Sequence, residues 1–193
     1  MKKFIFILAT SITLVSHAQE KRKTFAVNYG FGNGSLFTFT QMDGGGSHEG
    51  GKSLTNFGVY YSYELQPKNL FLETGINYMV YKNSTSSYLP PNPMTWNYTK
   101  NWISLPVRLR YEIGKYIFVN GGLNLDIDVS KKRSREMSGI GAGIGVGAQY
   151  YFKDKFGIYV NPQFDLRNLA TFSESSYRLS ATTVAFGMAY RFR

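Results

Sequence analysis

The sequence predicts an all-β chain folded as a single eight-stranded antiparallel transmembrane β-barrel. The first observation is the stretch 102–129, in which Ile103, Leu105, Val107, Leu109 and Tyr111 share one face and Trp102, Ser104, Pro106, Arg108, Arg110 and Glu112 the other. After a Gly-Lys turn the period of two resumes, with Ile117, Val119, Gly121, Leu123, Leu125, Ile127 and Val129 against Tyr116, Phe118, Asn120, Gly122, Asn124, Asp126 and Asp128. One face of this hairpin is free of charge and the other carries ionised groups in both strands. That is the demand of a membrane hairpin, whose strands need about 9–11 residues to cross the hydrocarbon layer. The second observation is composition: 17% aromatic residues, 15 Tyr, 15 Phe and 20 Gly suit strands, interfacial girdles and close packing. The third is a regular alternation of short and long connections.

In order along the chain, residues 1–18 read as a signal peptide. Lys2 and Lys3 precede the apolar run Phe4 to Val15, and Ser16-His17-Ala18 offers a signal-peptidase site. Residues 19–193 are then one outer-membrane β-barrel domain. Strands are expected at about 24–40, 54–65, 70–82, 100–112, 116–129, 138–152, 156–170 and 178–192. Connections 66–69, 113–115 and 153–155 are short, whereas 41–53, 83–99, 130–137 and 171–177 are longer and polar. Short turns at the end that holds both termini, and long loops at the other, place the termini in the periplasm. Pro106 within a strand lacks a ladder donor, so a bulge or bend is expected there.

The alternation also assigns facing. Phe57, Val59, Tyr61, Tyr63 and Leu65, and Leu70, Leu72, Thr74, Ile76, Tyr78 and Val80, are expected to meet lipid. The inward set gathers Glu64, Glu73, Arg108, Arg110, Glu112, Asp126, Asp128, Asp165, Arg167 and Arg191, six acids and four bases. An eight-stranded barrel is just wide enough for side chains. These groups are therefore expected to form a lumen charge network that plugs the core. Glu73, Arg108 and Arg110 are expected to pair across the third and fourth strands, with Asp126 and Asp128 nearer the outer rim.

Several motifs resemble chemistry that their context denies. Gly139, Gly141, Gly143, Gly145 and Gly147 recur at period two. No helix pattern follows them, so they do not form a dinucleotide site and instead make room for bulky groups such as Tyr60, Phe71, Trp102 and Phe118. The run from Gly46 to Ser53 matches the phosphate-loop expression letter for letter. LTNFGVYYSYEL after it alternates as a strand, so a Gly-rich surface loop is expected instead. Ser47, His48 and Glu49 are neighbours in that loop rather than a held triad. Asp126 and Asp128 are hard ligands, but pairing with lumen arginines is the stronger expectation. No catalytic, cofactor-binding or metal residues are assigned, and no cofactor is expected.

The formal charge of +10 raises nucleic acid, but Lys68, Lys115, Lys153 and Lys155 sit at turns and not on one helix face. Nucleic acid is not an expected partner. The loop residues Lys131, Lys132, Arg133 and Arg135 are instead a glycolipid-binding candidate, facing anionic phosphates of the outer surface. Phe186, Met188, Tyr190 and Phe192 alternate to the end and resemble the aromatic signal read by outer-membrane insertion machinery. Arg193 departs from that signal, which usually ends on the aromatic residue itself.

The segment from Ile103 to Tyr111 (ISLPVRLRY), followed by Tyr116 and the Gly121-Gly122 pair, resembles the hairpin of PorT-like outer-membrane β-barrel proteins of Bacteroidetes-type bacteria. The general layout is similar to OmpA- and OmpX-type barrels. This resemblance implies a link, as for some of its members, to protein secretion or surface assembly. Together with the residue patterns it leads to the expectation of a non-enzymatic outer-membrane protein acting as a structural, surface-interaction or secretion and assembly component, with outer-membrane lipid and glycolipid, the insertion machinery, and a surface or secretion-system protein as partners. Three other readings stay open at this level: a small pore for ions or small solutes, a lipid-modifying enzyme, and a soluble lipocalin-like barrel with its faces inverted.

Overall fold

Period-two alternation over Val, Ile, Tyr, Phe and Thr leaves this chain one way to satisfy its backbone beside an apolar face, which is to pair strands until no edge remains. In a computed structural model that describes residues 21–38, 47–66, 68–87, 94–130, 137–172 and 177–192, it does so. The elements are β1 (Lys23–Thr38), β2 (Ser47–Glu64), β3 (Leu70–Ser87), β4 (Met94–Ile113), β5 (Ile117–Asp128), β6 (Gly139–Phe152), β7 (Phe156–Thr171) and β8 (Tyr177–Phe192). Each pairs antiparallel with the next, and β8 closes on β1 from Lys23↔Phe192 to Thr38↔Tyr177.

Closure is staggered. Stepping across the ladders from Gln149 through Tyr159, Gly187, Asn28, Gly58, Asn77, Ser104 and Asp126 returns to β6 at Gly139, ten residues from the start. A stagger of this size tilts the strands and brings side chains remote in sequence to one height in the lumen. The outward faces are apolar, with Ile144 at 68% and Ile76 at 60% exposure. At the short-turn end they terminate in a belt of exposed rings, including Tyr61, Tyr111, Tyr150, Phe156, Tyr190 and Phe192.

Four expectations change. β2 begins at Ser47, β3 runs to Ser87 and β4 starts at Met94, so the wall there is taller than the apolar pattern predicts. Ser47–Ser87 pairing shows why: polar Ser, Thr and Asn residues pair by their backbone wherever a partner strand is alongside. Ser47 and His48 therefore lie in β2, and most of the phosphate-loop look-alike is strand, with a register shift between Gly50 and Ser53. Tyr116 is not on the lumen face, because β5 starts one residue later; it stacks outside on Tyr150, centroids 6.2 Å apart. Pro106 produces no bulge. The β3–β4 register is the same at Thr74↔Val107 and Asn77↔Ser104 on either side of it, and the ladder is interrupted only opposite Gly75 and Ile76.

The irregularity lies in β7 instead. Ile140 faces Ala170 whereas Ala142 faces Leu166, so β7 carries extra residues, and Asn168 adopts φ 59°. This bulge lets the consecutive Arg167 and Asn168 both be buried. Of the bulky groups expected over the Gly stripe, Phe118 is there, against Gly147. Asp165 occupies the space at Gly143 and Asn120 and Asn161 that at Gly145, while Tyr60 packs at Gly58 and Gly75.

Candidate functional site

The lumen is built in levels, beginning at the short-turn mouth. Arg22 precedes β1 and lies over the opening. Its Nη2 donates to Glu64 Oε1 at 2.6 Å and to Asn69 Oδ1 at 2.8 Å, its Nε to Glu64 Oε2 at 3.0 Å, and its Nη1 to Glu112 Oε2 at 3.2 Å. Asn69 can reach because it holds φ 72° in the β2–β3 turn, a conformation asparagine tolerates. Arg191 Nη2 takes the other oxygen of Glu112 at 2.6 Å while its guanidinium lies 3.8 Å from the Tyr151 ring centroid. Glu64 ends β2 at the aqueous mouth, beyond the apolar span. The Arg22 hydrogen bond holds its carboxyl down at about 2, against an ordinary 4.5, and raises Arg22 in turn.

Above this latch lies an aromatic floor. Phe118, at 0% exposure, packs with Tyr60 and Tyr159, the Arg110 guanidinium lies 3.7 Å from the Phe118 centroid, and Phe71, at 2%, lies under the Arg22 guanidinium at 5.0 Å. Arg110 Nη1 reaches Glu73 Oε2 at 3.4 Å, its Nη2 donates to Gln149 Oε1, and the Ser62 hydroxyl donates to Glu73 at 3.3 Å. The expected Glu73–Arg110 pair across β3 and β4 is thus present in the geometry. Arg108 differs. It is the register neighbour of Glu73, yet its Nη2 crosses the lumen to Asp165 Oδ1 at 3.0 Å and to Asn124 Oδ1 at 3.1 Å. The stagger offers Arg108 a carboxylate at its own height, and Glu73 is already held by Arg110.

Asn124 Nδ2 donates to the same Asp165 oxygen at 3.0 Å, and Arg167 joins from the bulge. Arg167 Nη1 donates to Asp126 Oδ1 at 2.6 Å and to Ser104 Oγ at 3.2 Å, and its Nη2 lies 3.5 Å from Asp165 Oδ2. Around these pairs the middle of the lumen is lined by amides. The side-chain oxygens of Asn28, Asn56, Asn77, Asn120 and Asn161 are buried and not used by any group within the protein.

A roof then closes the barrel: Leu54, Met79, Tyr81, Trp102, Met137, Leu179 and Ala181 form one buried apolar cluster. Trp102 Nε1 donates to the Met137 carbonyl at 3.1 Å, tying the start of β6 to β4. Over the roof Lys100 Nζ meets Asp128 Oδ2 at 3.0 Å. Asp128 also accepts from the backbone N–H of Ser130 at 2.9 Å and of Met137 at 3.1 Å, so one carboxylate pins both ends of the connection between β5 and β6.

All ten charges assigned inward from the sequence line this lumen. Two more were not identified: Arg22, just outside the first predicted strand, and Lys100, at the edge of the fourth. With them six acids face six bases, so the charges of the lumen balance among the described residues. Lys100 had a legible signal, because it shares the parity of Trp102 and Ser104. Met137 had none. Lys131, Lys132, Arg133 and Arg135 lie outside the described residues, as do residues 1–18 and Arg193. Phe186, Met188, Tyr190 and Phe192 face outward, between 38% and 52% exposed, on the strand that seals the barrel. Among the described residues no cluster of three or more His, Asp or Glu side chains is placed to hold a metal ion.

Comparisons with known proteins agree with this architecture. Residues 4–192 match the family described as outer membrane protein beta-barrel domain. No curated protein matches the sequence. Among solved structures, the outer membrane protein OprG from Pseudomonas aeruginosa superposes with a TM-score of 0.50 at 10% identity, covering 90% of this chain and 96% of that one. Ail, the attachment invasion locus protein of Yersinia pestis, gives 0.46 at 14% identity, covering 90% and 100%. The N-terminal barrel of Pseudomonas aeruginosa OprF gives 0.45 at 14% identity with the same coverage. At 10% identity the likeness to OprG is one of fold. The family match spans nearly the whole chain, and the protein therefore belongs to the outer-membrane β-barrel domain family, seated in the bacterial outer membrane.

Proposed function

We propose that this protein is a non-enzymatic, non-conducting barrel whose lumen is a structural core and whose work is done at its two ends, as a surface-interaction or secretion and assembly component. The observation that carries this reading is the double closure of the lumen. An aromatic floor of Tyr60, Phe118 and Tyr159 beside Arg110 and an apolar roof of Leu54, Tyr81, Trp102 and Leu179 leave the charged groups paired between and beyond them. Ion pairs held this way are spent on one another and not on a passing solute. The hairpin Ile103–Tyr111 with Gly121-Gly122 supports a narrower placement with the PorT-like barrels of Bacteroidetes-type bacteria, some of which are linked to secretion or surface assembly.

The test is single-channel recording of the refolded protein in a planar bilayer beside an Asp126→Asn, Asp128→Asn variant. Silence from protein shown to be inserted is the expected result. Discrete steps that the variant alters would instead establish the small pore, which the unused amide oxygens at mid-lumen favour. A Ser47→Ala, His48→Ala variant is expected to leave the lipid profile of the host membrane unchanged. A changed profile would establish the lipid-modifying alternative.

A further inference from the structure

Among the described residues the six lumen acids are balanced by six lumen bases, so the excess of basic groups lies outside the lumen. Much of it collects at the periplasmic end. Lys68 in the β2–β3 turn, Lys115 in the β4–β5 turn, and Lys153 and Lys155 in the β6–β7 turn are all exposed. Lys21 and Lys23 flank Arg22 at the start of β1. Among the described residues Asp154 is the one acid at this end outside the lumen. Lys68, Lys153 and Lys155 form no ion pair among the described residues.

These three lysines share a cavity of about 760 Å³ at the foot of β8 with Asp154, so its mouth carries three ammonium groups against one carboxylate. Arg22 and Arg191 form its inner wall, and both are committed to Glu64 and Glu112. Its outer wall is Tyr190 and Phe192, whose rings face the lipid at the level of the aromatic belt. The site is thus cationic where it opens to the periplasm and aromatic where it opens to the bilayer. That is the depth at which inner-leaflet headgroups lie.

The turn itself supports a role for charge. Lys153 and Asp154 both hold positive φ, 49° and 59°, a two-residue hairpin turn normally given to Asn-Gly or Asp-Gly. A lysine kept in a left-handed conformation costs backbone energy that asparagine or glycine would avoid, which points to use of its ammonium.

We propose that this cavity is a binding site for an anionic phospholipid of the inner leaflet. Lys68, Lys153 and Lys155 hold the phosphate and the acyl chains descend along Tyr190 and Phe192. The two walls select the occupant: a soluble anion would use the cationic side alone, and a neutral lipid the aromatic side alone.

The experiment is native mass spectrometry of the refolded protein released from micelles that contain phosphatidylglycerol or phosphatidylcholine, beside a Lys68→Gln, Lys153→Asn, Lys155→Gln variant. Asparagine at 153 tolerates the turn, and heat-modifiable gel migration checks that the variant folds. Retention of phosphatidylglycerol over phosphatidylcholine is expected, falling about fivefold per lysine removed, the factor that roughly 1 kcal/mol per surface charge corresponds to. A Lys131→Gln, Lys132→Gln, Arg133→Gln, Arg135→Gln variant is expected to keep the preference. Equal retention of the two lipids, undiminished retention by the triple variant, loss on changing the opposite loop, or displacement by inorganic phosphate alone would each overturn the proposal.

Discussion

Replacing Arg167 by methionine tests the paired lumen at its most exposed dependency. The arginine is 4% exposed and holds Asp126, Asp165 and Ser104. Asp165 would keep Arg108 and Asn124, both at 3.0 Å. Asp126, 1% exposed, has no second cation, and its Oδ2 already lacks a partner within the protein. The loss therefore concentrates on one stranded buried carboxylate. Removing one member of such a pair costs about 3–5 kcal/mol, whereas removing both is far milder. Arg167→Met is expected to lose that amount, and Arg167→Met, Asp126→Asn to recover more than half of it. The assay is equilibrium urea unfolding in phospholipid vesicles, followed by the fluorescence of Trp102, which lies in the roof cluster. A loss under ~1 kcal/mol, the worth of an exposed pair, would refute the reasoning, as would a double variant no more stable than the single one.

Three other perturbations address other levels of the lumen. Glu64 has its folded value depressed to about 2 from 4.5, so its contribution is complete above the unfolded value and disappears as pH falls through the folded one. The wild-type unfolding midpoint should drop across that window, and Glu64→Gln should flatten the drop; an unchanged slope in the variant would count against the latch. A Cβ at Gly147 would meet the Phe118 ring and the Val160 carbonyl, so Gly147→Ala is expected to cost about 1–3 kcal/mol in the same urea assay. Trp102→Ala removes a 3% exposed ring and its hydrogen bond to Met137, for a loss of about 3–5 kcal/mol. It should also give the silent barrel brief openings in a planar bilayer, and continued silence would place the decisive barrier at the floor.

The legible part of the lumen was the part written in parity. Arg108, Arg110 and Glu112 share the face of Trp102 and Ser104, so each could be placed inside from the sequence. Lys100 shares that parity as well and stands first in the expected strand 100–112, but facing was assigned only from Trp102 onward. Arg22 shares the inward parity of Thr24, Ala26 and Asn28 and continues the β1 ladder opposite Glu64, but it lies two residues before the expected strand. Tyr116 failed for the opposite reason, because parity does not continue through a turn. Pro106 was expected to deform its strand. The wall absorbs it with an interruption of the ladder opposite Gly75 and Ile76, after which the same register resumes.

The residue order by itself determined the number of strands, which residues share a face and the short-turn end. These follow from a period of two and from connection length, which are local properties of the chain. Which face turns inward stayed open against an inverted, soluble barrel until the burial of the charged face was seen. Pairing was settled elsewhere. Arg108 meets Asp165, 57 residues away, in place of its register neighbour Glu73. Arg167, inward by the same parity as Asp165, finds its partner in Asp126, 41 residues away, and Met137 roofs the lumen because Trp102 holds its carbonyl. Closing eight strands with a stagger of ten residues puts distant side chains at one height, and a Coulomb interaction depends on that distance and on burial, neither of which exists until the barrel has closed.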